Sequence, residues 1–363
     1  MENSITFTQI SKRLAEQNQP FRTIPLHNQF VIIVTNRGGR IFGPFKNESS
    51  SGILWANQAF SSSAAFEKFI SSGDWNIGGD RLWIAPEIPF FTKDRTNFYE
   101  TTAPQPSVDP GTYTLDAASG GVRLFQNVTA DIYESKLKSK SFSMEKLIKP
   151  AANPLRSLRR HSGLMEDVTF CGYQQTVTIT DTSPENPFYL EGWNLCQVVP
   201  GGEVYTPFNG EIEYIDYYEP ADSLQTIHTN YAVLSATGNR RYKVGYPSAI
   251  LTGRAAYLLA VENGDYCLYI KNYYNNPSSV YCCEPFDKPG KTSCSLFVYN
   301  DDGGLGGFTE FENTFQTIGG DTQLTSSTDS VQNWFYYGSL QRIKAIAKAL
   351  MGITIAESQQ GSM

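Results

Sequence analysis

The stretch Phe30-Val31-Ile32-Ile33-Val34-Thr35 is a short apolar, β-branched run, and Asn36-Arg37-Gly38-Gly39 and Arg40-Ile41-Phe42 follow it directly. β-Branched residues favour strands, and glycine supplies the positive φ that a tight turn requires. The stretch therefore predicts two strands joined by a turn. Because similar short runs separated by Gly, Asn and Asp clusters recur along most of the chain, the sequence predicts an all-β sandwich or barrel.

Further strand candidates do not alternate with long helices, which disfavours a doubly wound sheet. They lie at 121–125, 175–180, 188–190, 212–218, 231–235, 241–244, 255–261, 266–271, 295–299 and 307–315. The segment 136–160 contains eight Lys or Arg residues, and we interpret it as a solvated loop with a turn of helix. An anion or partner contact is the alternative for this segment.

Helical periodicity is clear in the segments 61–70 and 339–351, and a short helix is expected near 11–16. Neither an internal repeat nor a glycine-rich linker divides the chain. The predicted organisation is therefore a helical or extended lead-in at 1–27, one domain at 28–352 that includes the C-terminal helix, and a flexible tail at 353–363.

The composition narrows the classes of protein. The net charge is -7, with 40% hydrophobic and 18% charged residues, so the chain can bury a core and is not expected to bind nucleic acid. No apolar run is long enough to span a membrane, and the N-terminus does not resemble a signal peptide. We therefore expect a cytoplasmic protein that does not bind membranes and is a monomer or a homodimer.

Cysteine and histidine usage indicates no metal and no cofactor. The six cysteines lack a C-x-x-C pair, and the three histidines are scattered. Reduced cysteines are expected, with one bridge among Cys282, Cys283 and Cys294 as the alternative for an exported chain. Nucleotide-binding motifs and the G-x-S-x-G and H-E-x-x-H motifs are absent.

A second informative stretch is Gly78-Gly79-Asp80-Arg81-Leu82-Trp83-Ile84-Ala85-Pro86-Glu87. Arg81 offers a fork of donors and Trp83 a flat ring. A sugar needs this combination, because a pyranose presents hydroxyls at its edge and C–H groups on its face. The alternative is that Arg81 is buried and holds a loop through bonds to Asp80 and to carbonyls.

This second stretch resembles the aldose 1-epimerase (galactose mutarotase)-like superfamily, and in particular a branch with the motif Gly-Gly-[His/Asp]-Arg-Leu-Trp-x-Ala-Pro-Glu. The resemblance runs from about residue 28 to residue 352. It implies a large antiparallel β-supersandwich (galactose mutarotase-like) with a few peripheral helices, which agrees with the strand pattern. Supporting stretches lie at 36–41, 54–57, 191–197, 242–245 and 307–313.

The resemblance implies that Glu312, on a late strand, is the catalytic base and that Arg81 binds the substrate. Glu310 lies two residues before Glu312, so both carboxyls face the same side of a strand and are the catalytic candidates. Two neighbouring carboxylates raise the pKa of one of them. The candidate substrate-binding residues are Arg81, Asp80, Trp83, Glu87, Asn57, Arg40, Trp193, Gln197, Lys243 and Lys271.

The general acid of the family is a His, and Trp193 is the best match to its position. An indole does not donate a proton at ordinary pH, so the second proton must come from Lys243, Arg81, a Tyr or water, or the epimerase reaction does not occur. Lys243 and Lys271 are expected to point to solvent. If they instead converge with Arg37, Arg40 and Arg81, an anionic sugar or sugar phosphate is the expected ligand.

Three functions follow from these residues. The first is an aldose 1-epimerase-like isomerase that acts on a small carbohydrate or sugar derivative by acid–base proton transfer. The second is a carbohydrate-binding protein that has kept the cleft and lost the chemistry, as Trp193 suggests. The third is a lyase or a hydrolase on the same fold, which fold alone does not establish.

Overall fold

The protein is described by a computed structural model that covers residues 4–133 and 135–356. Within these residues there are six α-helices, and the predicted helices are present with shifted ends. The part of the predicted tail at 357–363 lies outside the described residues. The helices are α1 (Phe7–Glu16), α2 (Ser63–Ser71), α3 (Glu87–Phe91), α4 (Phe98–Thr101), α5 (His161–Leu164) and α6 (Leu340–Met351).

The described part of the chain also forms nineteen strands. They are β1 (Phe21–Pro25), β2 (Val31–Thr35), β3 (Ile41–Phe45), β4 (Asp80–Ala85), β5 (Thr114–Ala118), β6 (Gly121–Asp131), β7 (Ser139–Pro150), β8 (Thr169–Asp181), β9 (Glu191–Val198), β10 (Glu203–Pro207), β11 (Ile215–Asp216), β12 (Gln225–Ile227), β13 (Tyr231–Ser235), β14 (Tyr242–Pro247), β15 (Arg254–Ala260), β16 (Tyr266–Tyr273), β17 (Cys294–Asn300), β18 (Thr309–Thr314) and β19 (Ser326–Gly338).

Over residues 4–133 and 135–356 the strands form two antiparallel sheets. The nine-stranded sheet has the order β1-β2-β3-β4-β9-β18-β17-β14-β11. The ten-stranded sheet has the order β12-β13-β10-β15-β16-β19-β8-β7-β6-β5. Their facing sides bury one large apolar core, and α6 packs on the outer side of the ten-stranded sheet.

The prediction of an all-β antiparallel sandwich with few peripheral helices is confirmed. None of the described helices combines the length and the apolar character needed to cross a membrane.

The prediction of a solvated loop at 136–160 is wrong for its first half, which is strand β7. Polar and apolar residues alternate along β7, but two of its inward positions are lysines. Lys140 donates to Asp181 Oδ2 at 2.7 Å, and Lys146 donates to the Gly39 carbonyl at 2.9 Å. Because these partners satisfy the buried ammonium groups, a strand forms where charge alone predicts a loop.

Other segments also differ from the prediction. The segment 188–190 is not a strand, and β9 begins only at Glu191. The strand expected at 212–218 is reduced to Ile215–Asp216. Strands β10 and β19 were not predicted. The alternative of a loop around Arg81 is wrong, because the segment is the fully buried strand β4. Polar and apolar positions are equally buried along it, so β4 lacks the alternation of a half-exposed strand.

A buried carboxylate joins the two sheets. Asp80 on β4 accepts from the Tyr173 hydroxyl at 2.7 Å and from Gln175 Nε2 at 2.6 Å, and both donors lie on β8 of the other sheet. It also accepts from Asn194 Nδ2 on β9 at 2.6 Å. Lys146 lies nearby, and burial lowers its pKa to about 8 while Asp80 opposes the change. Since Asp80 points between the sheets, its neighbour Arg81 points to the outer face.

We expect Asp80→Ala to lower the free energy of unfolding by about 3–5 kcal/mol, because three buried donors lose their acceptor. Urea unfolding at neutral pH measures the change. The control is Asp265→Ala, since Asp265 is exposed and its removal should change stability by less than about 0.5 kcal/mol. Equal stability of the two variants would contradict a structural role for Asp80.

Candidate active site

The outer face of the nine-stranded sheet carries the candidate site. Arg81 on β4 lies opposite Leu195 on β9, and Leu195 lies opposite Glu312 on β18. Two residues further along the strands, on the same face, Lys243 on β14 lies opposite Tyr299 on β17, which lies opposite Glu310 on β18. Antiparallel pairing thus brings residues that are distant in the sequence onto one surface.

This surface forms the floor of a cavity of about 410 Å³. Its walls come from α3, from α4 and the residues after it, and from the loop between β17 and β18. Seven of the predicted site residues line it, namely Arg81, Trp83, Glu87, Trp193, Lys243, Glu310 and Glu312.

Arg81 and Glu310 form a buried ion pair in the floor. Arg81 Nη1 lies 2.5 Å from Glu310 Oε1, and the two residues are 1% and 3% exposed. The guanidinium also lies 4.2 Å from the centroid of the Trp83 ring. The alternative in which Arg81 pairs with Asp80 is wrong, because successive side chains of a strand point to opposite faces.

Lys243 lies between two carboxylates on the other side of the cavity. Its Nζ is 2.8 Å from Glu87 Oε2 and 3.7 Å from Glu312 Oε2. The Tyr218 hydroxyl donates to the other oxygen of Glu87 at 2.9 Å. The Lys243 ammonium also lies 4.5 Å from the centroid of the Trp193 ring. The expectation that Lys243 points to solvent is wrong, since it is 3% exposed and its ammonium is paired with Glu87.

Burial changes the protonation of this group of residues. It raises the pKa of the Glu312 carboxyl to about 8. The Lys243 charge opposes this rise, whereas the Glu310 and Glu87 carboxylates add to it. Burial alone lowers the pKa of Lys243, but Glu312 and Glu87 together raise it above its ordinary value. Near neutral pH Glu312 therefore exchanges a proton readily, while Lys243 stays cationic.

Three buried polar atoms in the cavity lining have no hydrogen-bond partner among the described residues. They are Arg81 Nε and Trp193 Nε1, both donors, and Glu312 Oε2, an acceptor when ionised. Buried polar groups without a partner are costly, and they are rare in folded proteins. A ligand hydroxyl satisfies any one of these atoms, because a hydroxyl both donates and accepts.

Five predicted site residues do not line the cavity. Asp80 and Lys271 point between the sheets, where Lys271 donates to the Asn194 and Phe311 carbonyls at 3.2 and 3.1 Å. Arg40 is fully buried and donates to the Gly78 carbonyl and to a carboxylate of the core. Asp80 and Lys271 support the floor from behind, whereas Arg40 also donates to the carbonyl of Trp75, a residue of the cavity lining, at 3.0 Å.

The other two, Asn57 and Gln197, hold a wall of the cavity through Asn76. Asn57 Nδ2 donates to the Asn76 carbonyl, and Gln197 Nε2 donates to Asn76 Oδ1, both at 2.9 Å. Asn76 Nδ2 in turn donates to the Leu305 carbonyl at 3.0 Å. Asn57 and Gln197 therefore position the loop that borders the cavity.

Sequence reasoning missed several lining residues, including Trp75, Tyr218, Tyr299 and Asp301. Asp301 organises the glycine-rich loop 303–307. Its carboxylate accepts from the backbone N–H groups of Gly303 at 3.0 Å and Gly307 at 2.8 Å, and from the Tyr299 hydroxyl at 3.1 Å. The pair Asp301-Asp302 before a run of glycines is the sequence signal for this arrangement.

Among the described residues, no group of three or more His, Cys, Asp or Glu side chains is arranged to hold a metal ion. The cavity instead combines carboxylates, an ammonium, a guanidinium and indole rings. This set of groups is suited to moving protons and to binding a polar ligand that has apolar faces.

No family model matches the chain, and no curated protein sequence matches it. Among solved structures, the 4-alpha-glucanotransferase from Thermococcus litoralis is similar over 89% of this chain, with 10% identity and a TM-score of 0.35. The chain spans 40% of that protein's length.

A putative aldose 1-epimerase from Klebsiella pneumoniae is similar over 92% of this chain and 85% of its own, with 8% identity and a TM-score of 0.37. Scores at this level carry no argument about what the chain does. Membership of the aldose 1-epimerase-like superfamily therefore stays a prediction from the sequence motif.

The Glu312 pKa leads to a test by pH. Its value of about 8 in the folded protein exceeds the ordinary 4.5, so between these pH values the folded state holds an extra proton. The stability that Glu312 contributes is complete below pH 4.5 and is lost as the pH rises to about 8. Glu312→Gln does not titrate, so its free energy of unfolding should rise relative to wild type by about 1.4 kcal/mol per pH unit across this window.

Urea unfolding of both proteins at several pH values measures this difference. The matched control is Glu262→Gln, at an exposed position, and its difference from wild type should not vary with pH. A difference for Glu312→Gln that is equally flat would show that Glu312 titrates normally.

Proposed function

We propose that the cavity binds the reducing end of a sugar and that the protein is an aldose 1-epimerase-like enzyme. The observation that carries the proposal is that Glu312, with its raised pKa, and Lys243 share the cavity with the rings of Trp83 and Trp193. Indole rings suit the C–H face of a pyranose, and the charged groups suit its hydroxyls.

The reaction needs two coordinated proton movements. In the proposed mechanism the Glu312 carboxylate removes the proton from the anomeric hydroxyl. The C1–O5 bond then breaks, a carbonyl forms at C1, and O5 takes up a proton. After rotation about C1–C2 the ring closes from the other side, and the two protons return.

The groups around Glu312 have separate roles in this proposal. Lys243 donates a hydrogen bond to O5 and stabilises the negative charge that develops there, since its ammonium is held by Glu87 close to Glu312. The proton on O5 then comes through water, because the raised pKa of Lys243 makes it a weak acid. Glu310 is a positioning residue, because its carboxylate is engaged by Arg81.

The charge of the lining favours a neutral sugar. The cationic side chains are Arg81, Arg241 and Lys243, whereas the acidic ones are Glu87, Asp301, Asp302, Glu310 and Glu312. Even with Glu312 protonated, three cations face four carboxylates, and this excess of negative charge repels an anion. The convergence of cationic residues that would indicate a sugar phosphate is not found, since Lys271 lies between the sheets and Arg40 is fully buried and paired with a carboxylate.

A second candidate function is carbohydrate binding without catalysis. It is favoured by Trp193, which lines the cavity and which the sequence resemblance matches to the general-acid His of the family, and by the weak acidity of Lys243. This candidate keeps the same ligand and the same contacts, and it differs only in the absence of proton transfer.

Anomeric exchange measured by proton NMR separates the two functions. With neutral aldoses we expect wild type to accelerate exchange, and Glu312→Gln and Lys243→Met each to lower the rate by about 100-fold or more. The matched controls are Glu262→Gln and Lys68→Met, both at exposed positions, which should keep the wild-type rate.

No acceleration by wild type, together with line broadening that shows a bound sugar, would favour the binding function. Acceleration that survives in Glu312→Gln would reject Glu312 as the base. If no neutral aldose shows either accelerated exchange or line broadening, a sugar ligand for this cavity is rejected.

A separate test concerns the indole N–H. We expect Trp193→Phe to weaken sugar binding by about three- to tenfold, because the aromatic face remains and only one hydrogen bond is lost. Isothermal titration calorimetry measures the change. Unchanged affinity would show that Trp193 Nε1 does not contact the ligand.

A further inference from the structure

The cavity has an inner part and an outer part that differ in burial and chemistry. The inner part contains the buried charged residues of the floor, such as Arg81 and Glu312. The outer part, at the cavity mouth, presents Tyr99 from α4 and Leu305 from the glycine-rich loop, and each of these residues is 44% exposed. Large apolar side chains exposed at the entrance of a polar cavity are a feature that the proposed chemistry does not use.

Tyr99 is held in place from several directions. The guanidinium of Arg241 lies 3.8 Å from the centroid of the Tyr99 ring, and Arg241 is itself held by Glu219 at 2.8 Å. The rings of Phe98 and Phe286 stack on each other at 4.6 Å, and both contact Tyr99 edge to face. The exposed ring is therefore a fixed surface, which reduces the entropy lost when a ligand packs against it.

The same ring is continuous with the inner part of the cavity. Tyr99 packs edge to face on Tyr218 with 5.9 Å between ring centroids. Tyr218 donates to Glu87, and its ring lies 5.3 Å from the Lys243 ammonium. A chain of direct contacts thus leads from the groups assigned to proton transfer to the exposed ring at the mouth.

We propose that the cavity mouth is a subsite for a second sugar unit, which packs against Tyr99 with Leu305 as a further apolar contact. The preferred ligand is then a neutral reducing disaccharide or longer glycan, with its reducing ring in the inner part. This inference rests on the proposed function of the inner part. It adds that the protein distinguishes a disaccharide or longer glycan from a monosaccharide, and that Tyr99 is the residue that does so.

The test compares three matched pairs of probes, which are glucose with maltose, galactose with galactobiose, and mannose with mannobiose. Calorimetry and saturation-transfer NMR measure the affinity of wild type, Tyr99→Ala and Tyr99→Phe. We expect wild type to bind at least one disaccharide about fivefold or more tighter than its monosaccharide. Tyr99→Ala should lose this preference and keep the monosaccharide affinity, and Tyr99→Phe should retain the preference.

The matched control is Tyr214→Ala, because Tyr214 is also 44% exposed but is not part of the cavity lining. It should leave both affinities unchanged. Equal binding of monosaccharide and disaccharide by wild type, or equal weakening of both by Tyr99→Ala, overturns the second subsite and leaves the proposed function standing. Failure of every sugar to bind wild type rejects the proposed function, and the subsite with it.

Discussion

The carboxylate of Asp80 is the constraint on which the arrangement of the site depends. A charge buried between two sheets is tolerated only when donors surround it, and here the donors come from both sheets. This requirement fixes which face of β4 points inward. Because a strand alternates strictly, Arg81 and Trp83 must then point to the outer face, where the cavity lies.

The same alternation explains what the sequence could predict. Short β-branched runs and Gly, Asn and Asp turns were sufficient for an all-β sandwich, and the spacing of Glu310 and Glu312 was sufficient to place both carboxyls on one side. The sequence pattern failed at β7 and β4, where buried Lys and Asp residues break the apolar rhythm. These polar residues have partners on distant strands, and such partners are not visible from local sequence.

The sequence predicts the residue types of the candidate site better than it predicts where those residues lie in the structure. Residues of suitable chemistry near Arg81 are all predicted to contact the ligand, yet Asp80 and Lys271 lie between the sheets and Arg40 is bonded to the Trp75 carbonyl and a buried carboxylate. Whether a strand residue lies in the cavity floor or behind it depends on which face of the sheet its side chain points from, and this face alternates from one residue to the next. Neither Tyr218 nor Tyr99 is predicted as a site residue, because an aromatic residue in a β-rich chain is most often part of the core. The contacts of α4 with Tyr218 place both rings at the cavity instead.

The loop that Asp301 organises has a consequence for ligand selection. Successive backbone N–H groups that point into one concavity commonly capture a phosphate. In this loop the concavity is already filled by a carboxylate of the chain itself. The Asp301 carboxylate thus occupies the position beside the cavity that a phosphoryl group would take. A phosphorylated metabolite would have to displace this carboxylate in order to bind there. The backbone N–H groups of Gly303 and Gly307 are therefore already satisfied within the chain and are not free to bind a phosphate.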